Sequence, residues 1–119
     1  MPKPSLVSAR RHPAGYLEAR ARSGTGRHGE LLASFLQSDV QGDIATARAL
    51  LDEIADAERG DAPQPGGVGN AFVIAIAPDG AVIRNAVIQG ALPERYGLGE
   101  LRTALEMWIV AIERARGPK

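Results

Sequence analysis

The stretch 71–88 constrains the fold more than any other part of the chain. Two apolar, β-rich runs at 71–77 and 81–88 flank Pro78-Asp79-Gly80. Proline presets φ and glycine supplies a positive φ, so the pattern predicts a tight antiparallel hairpin. A lone hairpin is marginal in water, so the rest of the chain must supply strands or helices to cover its apolar face.

Upstream, Leu17, Ala19 and Ala21 alternate with Glu18, Arg20 and Arg22, the period-two pattern of a half-buried strand. A short mixed segment at 5–10 precedes it across the breaker His12-Pro13-Ala14-Gly15. The Gly-rich run 23–29 reads as a turn and 30–36 as a returning strand. A helix then starts at Ser38 or Asp39, or at Asp43 behind Gly42, and stops at Gly60. Within it Val40, Ile44, Ala47, Leu51 and Ile54 recur every three or four residues, the stripe that an amphipathic helix buries. Residues 61–69 and 89–99 read as loops. The last helix covers 100–116, with Leu101, Leu105, Trp108 and Ile112 as its buried stripe, widened by Ala104, Ile109 and Ala111, and with Gly117-Pro118 as its stop. The order β-β-β-α-β-β-α with short connections predicts an α+β fold, an antiparallel sheet of about five strands with two helices on one face. At 119 residues this is a single domain over 1–119, with an ordered core at about 5–116.

With no cysteine, disulfide and thiolate chemistry are excluded. No apolar run approaches the ~18 residues of a membrane span, and the basic N-terminus lacks the apolar stretch of a signal peptide, so a cytoplasmic protein is expected. Formal charge sums to zero but is polarised. Lys3, Arg10, Arg11, Arg20, Arg22 and Arg27 outweigh Glu18 and Glu30 in the first 30 residues. Asp39, Asp43, Asp52, Glu53, Asp56, Glu58 and Asp61 outweigh Arg48 and Arg59. Acids in the C-terminal half of a helix oppose its macrodipole, at about 0.3–1 kcal/mol each when exposed. That placement suits a binding role better than helix stability.

No residue set carries a catalytic signature. His12 and His28 stand in Gly/Pro-containing turns without neighbouring ligands, so both read as surface histidines, and no metal or cofactor is expected. Gly24-Thr25-Gly26-Arg27-His28-Gly29 lacks the Lys-Ser/Thr of a phosphate-binding P-loop and reads as a plain turn. The arginines lack interleaved aromatics and the chain is not net basic, which argues against a nucleic-acid site. The acidic helix has two readings, a solvated face or a partner-binding face made by Asp39, Asp43, Asp52, Glu53, Asp56 and Glu58.

Ala49-Leu50-Leu51-Asp52-Glu53-Ile54 resembles the Ala-Leu-Leu-Asp-Glu-Val helix core of the YacL-like family of small bacterial proteins. Ile44 upstream and the Gly60 stop fit the same register. Gly69-Asn70-Ala71-Phe72, Asp79-Gly80 and Arg84-Asn85 resemble that family's second hairpin. The likeness runs over about 15–116, but the acid-rich second loop is shortened here, Glu94 being its only acid before Glu100. Part of that group consists of contact-dependent growth inhibition immunity proteins, which neutralise toxins passed between competing bacteria. The resemblance implies a non-enzymatic immunity protein with a cognate protein toxin, a nuclease being one candidate because its substrate groove is cationic. The alternative is a cytosolic housekeeping adaptor or small homo-oligomer, a homodimer included.

Overall fold

The computed structural model describes residues 5–60, 67–68 and 71–116. Lys3, Asp61 and all of the expected loop 61–69 except 67–68, with Asn70 and the Gly117-Pro118 stop, lie outside the described residues.

Val7–Arg11 (β1) and Leu17–Ala21 (β2) pair antiparallel, with Val7 opposite Ala21 and Arg11 opposite Leu17. The breaker makes their turn: Gly15 adopts φ +100 and the His12 ring stacks on Tyr16 at 4.3 Å. The central hairpin forms as Phe72–Ala77 (β4) and Gly80–Asn85 (β5), with Ala77 opposite Gly80. Gly80 takes φ +140 and passes so close to Tyr96 that a Cβ there would lie 3.0 Å from the Tyr96 carbonyl oxygen. β5 ends at Asn85 because its Oδ1 accepts from the amides of Val87 and Ile88, turning the chain away from the sheet. Gly67–Val68 (β3) flanks β4, and Glu94–Tyr96 (β6), inside the expected loop 89–99, flanks β5.

The α+β class holds, but the single sheet with two helices does not. Among the described residues there are two antiparallel sheets, β1-β2 and β3-β4-β5-β6, and three α-helices. The difference arises at 26–40. The expected turn and returning strand are instead Gly26–Phe35 (α1) running into a π-helical turn, Leu36–Val40. Gly29, Leu32, Ala33, Leu36 and Val40 are all buried, a helical spacing that a seven-residue window concealed among apolar neighbours. Gly29 serves packing: a Cβ there would stand 2.0 Å from Thr25 Oγ1 and 3.2 Å from Ala21 Cβ. Glycine makes room here chiefly for the Thr25 side chain at the start of α1, with Ala21 of β2 in tight contact behind it. With no third strand at 30–36, nothing bridges the two hairpins into one sheet.

Ile44–Glu58 (α2) begins at Asp43 rather than at Ser38 or Asp39, and Gly60 with φ +82 follows it as expected. Its buried positions are Ala47, Leu50, Ile54 and Ala57, so Leu50 rather than Leu51 faces the core, and Ile44 and Leu51 are half-buried at its margin. Leu98–Ala115 (α3) buries Leu101, Ala104, Leu105, Trp108, Ile109 and Ile112. It contacts α2, β1, β2 and β5, and so joins the two sheets. Trp108 is fully buried and its Nε1–H donates to the Gln41 carbonyl at 2.6 Å.

Leu50→Ala should cost about 2–5 kcal/mol and Leu51→Ala clearly less, because only the first leaves a closed cavity. Trp108→Phe keeps most of the packing but strands the Gln41 carbonyl, costing about 1–3 kcal/mol. Denaturant melts of the three variants check the order; equal losses at Leu50 and Leu51 would contradict the helix register.

Candidate functional site

The six acids singled out by sequence divide once folded. Asp39 sits in the π-turn, where its two carboxylate oxygens accept from the Ala71 and Phe72 amides at 3.0 and 3.1 Å. It caps the open start of β4. Asp43 is the N-cap of α2: its carboxylate accepts from the Ala45 amide at 3.1 Å and the Thr46 hydroxyl at 2.7 Å. The Thr46 hydroxyl, against slight desolvation and with the Ala45 and Thr46 amides behind it, holds the Asp43 carboxyl below the usual carboxylate range. Both acids spend their lone pairs on the fold itself.

The other four lie on the later turns of α2. At about 100° per residue, Asp52, Glu53 and Asp56 fall within one arc of roughly 100°. Glu58 lies on the opposite side and pairs with Arg102 of α3. Asp56 pairs with Arg59 one turn on. Asp52 and Glu53 make no ion pair among the described residues, and no basic residue occupies the last turn of α2. The site that remains is a three-carboxylate face of Asp52, Glu53 and Asp56.

The basic N-terminal strands are only partly neutralised within the chain. Glu18 Oε1 accepts from Arg10 Nε at 2.9 Å and from Arg20 Nε at 3.1 Å. Arg22 Nε donates to the Ser5 carbonyl at 2.8 Å, and Arg27 pairs with Glu94. Arg10, Arg11, Arg20 and Arg22 thus outnumber Glu18, and this hairpin keeps a net positive charge.

Sequence reasoning missed a cluster where α1, β6 and α3 begin. His28 is partly buried, not free on the surface. Its Nδ1 faces Glu94 Oε1 at 3.1 Å and its Nε2 faces Glu100 Oε2 at 3.4 Å. Its ring stacks on Tyr96 at 4.3 Å, and the Tyr96 hydroxyl donates to the His28 carbonyl at 2.6 Å. Burial pushes the Tyr96 phenol well above its ordinary range, with the Glu94 charge adding to it. Glu100 also accepts from the Gly97 amide at 2.8 Å, capping α3. Both ring nitrogens and the phenol are thus engaged with protein partners, which makes the cluster a clamp between three elements. His28 is more than 60 positions from the other three residues, so no linear spacing announced it. Among the described residues, no three His, Cys, Asp or Glu side chains converge as metal ligands, and no helix is long and apolar enough to cross a membrane.

Asp39→Ala should cost about 1.5–3 kcal/mol, since two backbone donors to a charged acceptor lose it together. Asp52→Ala should stay within about 0.5 kcal/mol; thermal melts separate them. Asp43, with its carboxyl lowered in the fold, contributes stability above its ordinary value of 3.8 and loses that contribution as pH falls through the lower folded value. Thr46→Val removes the largest cause, so its acid unfolding limb should begin at higher pH than that of the parent. Compared with protein families, with curated proteins and with solved structures, the chain matches none.

Proposed function

We propose that this chain is a non-enzymatic binding protein that captures a cationic partner protein on the outer face of α2, as an immunity protein captures its toxin. The observation that carries the reading is the division among the acids. Asp39 and Asp43 are consumed by the fold, whereas Asp52 and Glu53 are left without ion pairs among the described residues, with Asp56 beside them. Asp56, in the last turn of the helix, opposes the helix dipole rather than adding to stability. The resemblance of the same helix to the YacL-like core supports the immunity role, and a nuclease fits as toxin because its substrate groove attracts carboxylates. Binding by such a face is steered by charge: it speeds association and weakens as salt rises.

The test uses the chain co-expressed with the product of the neighbouring gene. The parent should co-purify with that product, and replacing Asp52, Glu53 and Asp56 by lysine should slow association at least about tenfold at low salt while leaving the melting temperature nearly unchanged. Unaltered affinity in the charge-reversed variant would remove α2 as the binding face.

A further inference from the structure

We propose that the cleft crossing the outer face of α1 is a second docking site, for an extended segment of another protein that carries an aliphatic residue close to a lysine or arginine. Two open hollows of about 530 and 380 Å³ share Ser34, Phe72 and Asn85 and so form one continuous groove. One end is apolar. Ile88 and Leu92 are 59% and 69% exposed there, beside the half-buried Leu31. Folding alone does not call for these side chains: Asn85 turns the chain outward and presents them on a loop away from the core. Exposed aliphatics gathered at a concave surface mark a contact site.

The charge of the groove selects the neighbour of that aliphatic residue. Glu18 is matched by Arg10 and Arg20, and Arg27 by Glu94. Glu30, exposed on α1 at the apolar end, makes no ion pair among the described residues. At the apolar end the charge left without an ion pair is therefore the Glu30 carboxylate beside the aliphatic wall, and its complement is a cation one or two residues from an apolar anchor. Further along, the Asn85 side-chain amide makes no hydrogen bond as donor among the described residues and can meet a backbone carbonyl of the segment. The far end does not offer a free strand edge. There the Gln37 carboxamide already accepts from the Ala19 amide at 2.7 Å and donates to the Leu17 carbonyl at 2.8 Å, as a neighbouring strand would. Recognition thus runs through side chains at the Leu92 end rather than through strand addition to β2. This site is independent of the acidic face of α2.

The probe is a displayed library of random nonapeptides panned against the full chain, followed by titration of the best synthetic peptide. Enriched peptides should carry Leu, Ile or Val within two positions of Lys or Arg. Leu92→Glu should weaken the best peptide at least about tenfold, and Glu30→Arg should shift the enriched set toward acidic neighbours, while Arg84→Glu, outside the groove, should change neither. Thermal melts show that each variant is folded. No enrichment over an unrelated bait, or binding indifferent to Leu92→Glu, overturns the proposal. Concentration-dependent self-association of the parent that Leu92→Glu abolishes would also overturn it, by giving the groove to a second copy of the chain.

Discussion

A single turn of π-helix, Leu36–Val40 with Gln41 behind it, ties together parts of the chain that otherwise lack a common sheet. Widening the last turn of α1 sends three polar groups in three directions. The Gln37 amide closes the outer edge of β2, the Asp39 carboxylate receives the first amides of β4, and the Gln41 carbonyl receives the Trp108 indole of α3. Gln41 holds φ +54, a conformation that non-glycine residues adopt only where their surroundings over-determine it. Here they do: its amide donates to Leu36 and its side-chain amide to Ser38, at 2.8 and 2.7 Å. The Trp108 bond then fixes how α3 approaches, because a buried indole N–H without an acceptor is costly.

The same economy explains which acids are left for a partner. A backbone amide at a strand start or helix start is an obligatory donor, and the nearest carboxylate satisfies it. Asp39 and Asp43 stand at such starts. Asp52, Glu53 and Asp56 lie in the middle and later turns of α2, where the amides are already paired within the helix, so their charges have no internal task of that kind. Glu58 is intermediate: close enough to α3 for Arg102 to reach it. Surface acids and the Ile88–Leu92 loop are therefore residues whose chemistry the fold does not use, and both proposed docking faces are built from them.

Much of the local structure was legible. The hairpin at Pro78-Asp79-Gly80, the strand alternation at 17–21, the Gly60 stop and the stripe Leu101, Leu105, Trp108, Ile112 follow from turn chemistry and periodicity acting over a few residues. The segment 26–36 was not legible, because Leu31, Leu32, Ala33, Phe35 and Leu36 are so densely apolar that periods of two and 3.6 fit them alike. What decides is the packing of α1 against β1 and β2, a contact that a one-dimensional pattern does not carry. The choice of Leu50 over Leu51 has the same origin, since two adjacent leucines share the stripe and the neighbouring α3 and β4 select the face.

By itself, then, the sequence determined the α+β character, the central hairpin, the two later helices and the polarisation of charge, all of which depend on neighbours a few residues apart. Tertiary structure alone decided that the strands form two sheets, that Asp39 and Asp43 hold the fold while Asp52 and Glu53 do not, and that His28 lies between Glu94 and Glu100. Each of those depends on which donor and acceptor finish within about 3 Å of one another. That is settled by close packing of elements distant in the chain, after local propensity has had its say.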